Sequence, residues 1–347
     1  MKLAGLAFTI SVALAQPPHV QNARMETRAV SGPLGAAFRA IVNQQTAPTW
    51  VAYSAPLIPG DRSLCCWDSN DGVAYQGCML EPGAAQFSAS GTGTVHLEGP
   101  TEFFVFYRIE NKQVGKVRTF SPDCNIDAGG LPLIFLTGVN AGESVALLES
   151  LIPGADRRLT NAAISAIGMH RDPAADAALD RLVAMSQPEE VRAQAVFWLG
   201  NARGAHGLAT LSRILKSDPS DRVRERAVSG LAQSKEAGAI PEIVRVARED
   251  ASARVRGQAL FWLAQTASRQ ISEEAIRRAI DSDPETQVKK RAVFALTQMK
   301  NGDGVPLLIE IARKNPNPAV RKEAMTWLGR SHDPRAIKFF EDVLNAR

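Results

Sequence analysis

From residue 156 to the C-terminus the apolar positions repeat with a period of 32 to 33 residues. Leu159, Val191, Val223, Val255, Val288 and Val320 each have an alanine four residues later: Ala163, Ala195, Ala227, Ala259, Ala292 and Ala324. Eight residues after the start come Ile167, Leu199, Leu231, Leu263, Leu296 and Leu328. Positions 0, 4 and 8 share one face of a helix, and the constant alanine lets neighbouring helices approach closely. This pattern predicts a first helix, A, in each of six copies.

A second register follows within each copy. Leu179, Leu211, Ile243, Ile276, Leu308 and Phe340 recur at the same spacing, each followed three and four residues on by an apolar pair, from Leu182/Val183 to Val343/Leu344. These predict helix B. Five residues before the helix A positions stand Ser186, Asp218, Asp250, Asp283 and Asn315, all residue types that cap helix N-termini. Pro219, Pro284 and Pro316 follow three of them, and Ser186 with Glu189 has capping-box spacing. Asp172-Pro173 and Asp333-Pro334 are placed to start helix B in the first and last copies. Helix pairs of this kind stack so that neighbours bury one continuous core. The predicted fold is mainly α, an α-α superhelix of six helix pairs over 156–347.

The segment before it is patterned differently. Phe103 to Ile109 is dense in aromatic and β-branched residues, and Val114 to Phe120 can return beside it as a hairpin. Trp50 to Tyr53 and Thr92 to Leu97 are further strand candidates, with helices expected at Gly35 to Gln45 and Ala141 to Leu151. Residues 16–150 therefore read as a small strand-rich α+β domain. Charge divides in the same place. Residues 16–155 hold 8 Lys+Arg and 12 Asp+Glu, a net −4, whereas 156–347 hold 31 and 24, a net +7.

Residues 1–15 read as a signal peptide: Lys2, the apolar run Leu3 to Leu14, then the small-x-small pattern Ala13-Leu14-Ala15 before Gln16. The expected location is exported, periplasmic or extracellular. No other apolar run approaches the roughly 18 residues of a membrane span, so no stable membrane insertion is expected. In an oxidising compartment Cys65, Cys66, Cys78 and Cys124 most simply make two disulfides. Adjacent Cys65 and Cys66 are poorly placed to bond each other, which leaves each to pair with Cys78 or Cys124, in either assignment. Zinc is disfavoured, because no C-x2-C knuckle is present. Asp123 to Gly130 has the look of a calcium loop but lacks the glutamate at position 12, and reads as a Gly-rich turn.

Phrases such as Asp218-Pro219-Ser220-Asp221-Arg222-Val223-Arg224-Glu225-Arg226-Ala227 and Asn315-Pro316-Asn317-Pro318-Ala319-Val320-Arg321-Lys322-Glu323-Ala324 resemble HEAT repeats of the short type found in phycobilisome lyase-like proteins. The resemblance covers about 155–347 and implies a HEAT solenoid. Proteins of this kind mostly act as scaffolds that bind proteins along a surface lined by the second helices, and a minority attach bilin chromophores. It also implies that Arg192, Arg224, Arg256, Lys289 and Arg321, next to the helix A positions, pair with acidic groups in the loops between repeats. Trp198, Trp262 and Trp327 are expected to pack in the core or between repeats rather than to line an aromatic ligand groove.

Two residues after each helix B position run Arg181, Arg213, Arg245 and Arg278, then Glu310 and Asp342, with Arg248 and Arg313 one turn on. Beside but not on the apolar stripe, they belong to the exposed side of helix B. The six arginines are the candidate partner-binding residues, suited to a protein with an acidic surface. The five histidines are scattered, no H-E-x-x-H, G-x-S-x-G or phosphate loop occurs, and exposed aromatics are not interleaved with the basic residues. No catalytic residue, cofactor, metal or nucleic acid is therefore expected. The sequence reads as an exported scaffold that binds another protein or an envelope component. A lyase-type or other enzyme that holds its substrate protein on the repeats, and a purely structural spacer, are the alternatives.

Overall fold

In a computed structural model of the protein, residues 17–60, 64, 78–81 and 99–345 are described. The chain divides into two compact units, 1–178 and 179–347. The expected signal peptide at 1–15, Cys65, Cys66 and the expected strand at Thr92 to Leu97 lie outside the described residues.

The first unit is built on a five-stranded sheet. Its strands are β2 (Met25–Ala29), β3 (Thr49–Pro56), β5 (Glu102–Glu110), β6 (Gln113–Phe120) and β8 (Leu133–Thr137), in the order β2-β8-β3-β5-β6. The expected hairpin is present: β5 and β6 are antiparallel and turn through Asn111 and Lys112, with φ of 52° and 57°. Such a two-residue turn with positive φ matches the twist of its strands. β8 lies parallel to both β2 and β3, which join it from segments about 80 to 110 residues earlier. A small parallel sheet of β1 (Val20–Gln21), β4 (Cys78–Met79) and β7 (Ile126–Asp127) has the order β1-β7-β4. One core gathers Trp50, Phe104, Phe106, Phe120 and Phe135 with Cys78, Leu80, Cys124 and Ile126. Within Asp123 to Gly130, β7 leads into a Gly-rich turn: Gly129 and Gly130 have φ of 64° and 87°, and the Asp127 carboxylate accepts from the Gly129 N–H.

Helices α1 (Leu34–Gln44), α2 (Ala141–Ser150) and α3 (Arg157–Met169) complete this unit. Glu143 near the start of α2 reaches across to accept from the Leu34 N–H and so satisfies an orphan donor of α1. α3 is the expected helix A of the first copy, yet it packs against β6 and α2. Leu57 bridges His170, and the Ile58 and Arg171 amides donate to the carbonyls of Met169 and Pro56. The first helix of the periodic region is thus bound into the sheet layer and belongs to the first compact unit.

The periodic region forms six helix pairs. Helix A of the later copies is α5 (Glu189–Ala202), α7 (Asp221–Gln233), α9 (Ala253–Thr266), α11 (Thr286–Leu296) and α13 (Pro318–Arg330). Helix B is α4 (Pro173–Leu182), α6 (Gly204–Ser217), α8 (Ala239–Glu249), α10 (Arg269–Ser282), α12 (Val305–Lys314) and α14 (Pro334–Asn345). The six alanines at the fourth position are fully buried. α5 and α7 approach so closely that a Cβ on Gly200 would lie 2.3 Å from the Gly230 carbonyl carbon, and only glycine fits there.

The helix starts need one correction. The caps stand two residues beyond Asp218, Asp250, Asp283 and Asn315, at Ser220, Ser252, Glu285 and Asn317, and α5 is preceded by Pro188 rather than capped by Ser186. Each Asp or Asn instead ends helix B and folds a short turn, its Oδ1 accepting from the N–H two residues on at 2.8 to 3.0 Å. Asp172 and Asp333 do start helices as expected, through bonds to the N–H groups of Ala174 and Arg335.

Candidate functional site

The turn aspartates have a second task. Arg192 grips Asp218 with two bonds of 2.9 and 3.2 Å, Arg224 grips Asp250 at 2.9 and 3.0 Å, and Arg256 grips Asp283 at 2.7 and 2.9 Å. The remaining nitrogen of each guanidinium donates to a main-chain carbonyl of its own loop, at Gln187, Asp218 and Asp250. Each fork thus ties one repeat to the loop that opens the next, in nearly buried surroundings where forked, charge-assisted bonds are strongest. The series ends where chemistry changes: Lys289 has no fork and reaches the Asp281 carbonyl, and Arg321 meets the carbonyls of Asn315 and Pro316. These cations hold the scaffold together.

The arginines of the helix B face have different fates. Arg181, at the end of α4, is exposed. Arg213 is exposed and makes no ion pair with the described residues. Arg245 is half-buried and folds back onto Glu242, one turn earlier, with bonds of 2.7 and 3.0 Å that raise its pKa. Arg248 is held by neighbouring Glu249, and Arg313 lies 3.5 Å from Asp342 and over the Phe339 ring. Arg278 is exposed and without an ion pair among the described residues. Arg277, which the spacing did not single out, bridges α10 to α12 by a fork onto Glu310 and lowers that carboxyl's pKa. A continuous basic strip is therefore largely dissolved into local ion pairs, with Arg213 and Arg278 left over.

Between α8 and α10 the helix B face opens into a groove of about 1130 Å³. Ile240, Pro241, Val244, Ile271 and Ala275 line its apolar part, with Arg248, Glu274 and Arg278 at polar positions. Ile271 is 39% exposed. One repeat on, between α10 and α12, the corresponding space is only about 130 Å³ and is lined by the Arg277 and Glu310 pair. Arg277 spans the gap to Glu310 on the next helix, whereas the equivalent residue one repeat earlier is Val244, which lines the groove.

A small residue eight or nine positions after each of Ile167, Leu199, Leu231, Leu263, Leu296 and Leu328 escaped the reading of the repeat: Ala175, Gly207, Ala239, Ser272, Gly304 and Ala336. All six are buried. At Gly207 and Gly304 an added Cβ would lie 1.9 and 2.1 Å from a helix A carbonyl oxygen, while the Ser272 hydroxyl donates to the Leu263 carbonyl. Their periodicity was available in the sequence. The tryptophans pack as expected, half-buried, with Trp262 Nε1 donating to Ser229 of the preceding repeat and Phe294 set between Phe261 and Trp327.

The first unit contains a buried polar chain that no spacing announced. Tyr107 and Tyr53 hydroxyls meet at 2.5 Å, Tyr53 reaches Ser144 Oγ at 2.6 Å, and Ser144 reaches His170 Nε2 at 2.8 Å. His170 Nδ1 faces the Ala166 carbonyl at 2.7 Å. A carbonyl only accepts, so Nδ1 carries the proton and Nε2 of the neutral ring accepts from Ser144. All four side chains are fully buried. Burial pushes Tyr53 up to about 12 and Tyr107 well above its ordinary value. Cys78 and Cys124 are also buried, and neither is a free thiol.

The geometry of 179–345 defines a helical-repeat scaffold, a class associated with protein interaction. The family model for HEAT repeats matches residues 179–264 and 273–347, and the C-terminal unit is an array of HEAT repeats. Three solved structures are similar. The complex of CpcE and CpcF of phycocyanin lyase from Nostoc sp. PCC7120 shares 20% identity over 53% of this chain and 76% of that one, with a TM-score of 0.31. YibA of E. coli shares 14% over 57% and 80%, with 0.36. Human deoxyhypusine hydroxylase, in complex with glycerol, shares 18% over 57% and 77%, with 0.25. No curated protein matches the chain. No helix among the described residues is long and apolar enough to cross a membrane.

Proposed function

We propose that the protein is an exported, non-catalytic scaffold that binds a partner protein in the groove between α8 and α10, with Arg213 and Arg278 giving the partner's acidic groups something to meet. The observation that carries this reading is the open apolar groove on the second-helix face, at the place where no ion pair among the described residues joins α8 to α10. A partly exposed Ile271 beside Ile240 and Val244 supplies apolar area, and an adjacent unpaired guanidinium supplies direction. Two features support binding over catalysis. Arg245, Arg248, Arg277 and Arg313 are spent on neighbouring carboxylates, and the Ser144–His170 pair is enclosed in a hydrogen-bond chain. Export rests on Lys2, the run Leu3 to Leu14 and Ala13-Leu14-Ala15, and it accords with two disulfides joining Cys65 and Cys66 to Cys78 and Cys124.

Replacing Val244 and Ile271 by Asp tests the groove, with Arg278→Glu testing the charge. A partner cross-linked to the wild-type chain in its native compartment should be lost by more than about tenfold in the Val244→Asp/Ile271→Asp variant, and more weakly in Arg278→Glu. Capture unchanged in both variants would remove the groove from the interaction. Mature protein whose N-terminus still contains Leu3 to Leu14 would remove export.

A further inference from the structure

We propose that the face formed by α13 and α14 is a contact between two copies of this chain, related by a twofold axis. The inference comes from comparing equivalent positions along the array. The fifth residue after each helix A position is Val196, Val228, Leu260 and Val293 in copies two to five, and each is fully buried where the next helix A packs. In the sixth copy it is Met325, 38% exposed. The fourth residue after each helix B position is Leu215, Ala247, Ile280 and Ala312, each 3 to 5% exposed, and then Leu344, 70% exposed. Ile337 and Val343, at 53% and 44%, extend the same apolar surface along α14. The sixth copy thus presents the apolar positions by which every earlier one in this unit is joined to a successor. A contiguous exposed apolar face of this kind marks an association site.

The charges on α14 select the occupant. Its first half carries Arg335 and Lys338 and its second half Glu341 and Asp342. Arg335 is engaged by Asp333 and Asp342 by Arg313, but Lys338 and Glu341 make no ion pair among the described residues. Two α14 helices laid antiparallel would place Lys338 of each beside Glu341 of the other, on the flank of a shared stripe of Ile337, Phe340 and Leu344. A twofold contact is self-complementary in this way by construction. A head-to-tail contact would instead have to use the opening helix pair, where α3 is already packed on β6 and α2.

Light scattering and sedimentation on the full chain, up to about 100 µM, test the proposal. The wild type should be a dimer. Met325→Asp with Leu344→Asp should weaken it by at least about tenfold, with an unchanged helical circular dichroism spectrum, because both side chains are solvent-exposed in the single chain. Glu341→Lys should also weaken the dimer, and adding Lys338→Glu should restore it. A monomeric wild type, a dimer indifferent to the Met325/Leu344 change, growth beyond two copies, or no restoration by the double charge swap would each overturn the twofold contact.

Discussion

The two units bury polar groups by opposite means. In the first, a chain of neutral groups, Tyr107, Tyr53, Ser144 and His170, crosses from the sheet through α2 to the end of α3, and every member is fully buried. In the second, charged forks from Arg192, Arg224 and Arg256 onto Asp218, Asp250 and Asp283 repeat at nearly equal spacing. A sheet assembled from distant segments has one interior, and its polar groups must be satisfied once, together. A stack of repeats has many equivalent seams, and one solution can be copied along them. The first arrangement is sensitive to loss of a proton, the second to loss of a carboxylate's charge.

The sharpest way to break this contrast is to cut one fork. Arg224→Leu leaves Asp250 charged, buried and without its fork, which should destabilise the second unit by about 3 to 5 kcal/mol. Pairing it with Asp250→Leu should recover most of that loss. Hydrogen exchange should show lost protection in α7 and α9 while β3 and β5 keep theirs. Equal loss in both units would mean that they unfold as one block.

pH should separate the units in opposite directions. Tyr53 is held neutral up to about 12 in the folded state against about 10 when unfolded, so its contribution is present below pH 10 and is lost as pH rises toward 12. A shift of that size corresponds to roughly 3 kcal/mol. Asp221 and Glu310 are lowered, through hydrogen bonds from Ser252 and Arg277 respectively, so their smaller contributions are present above the ordinary carboxylate range and are lost as pH falls below it. Unfolding followed at each extreme should therefore begin in the sheet unit at high pH and in the repeats at low pH.

A smaller effect refines the picture of the neutral chain. Ser144→Ala removes the hydroxyl that joins His170 Nε2 to the Tyr53 hydroxyl and should destabilise the first unit by about 2 kcal/mol, measured by urea unfolding. The repeats should be unaffected. A change within about 0.5 kcal/mol would show that the chain is dispensable.

What the sequence by itself determined is the repeat. Helices A and B, their buried alanines and leucines and the β5–β6 hairpin were all legible, because helical and strand periodicities are local and the contacts they imply lie within one or two elements. The Arg–Asp forks followed from the resemblance to HEAT repeats, and the buried small-residue series from Ala175 to Ala336 was written in the same period. What only the tertiary structure decided depends on encounters between distant residues. β8 enters between β2 and β3, α3 joins the sheet, and Ser144 meets His170 and Tyr53, none of which a local pattern encodes. The same limit applied to the helix B arginines. Spacing placed Arg245, Arg278 and Arg313 on one face, but whether a guanidinium is spent or free depends on which carboxylate lies within its reach, and that is set by how the helices pack.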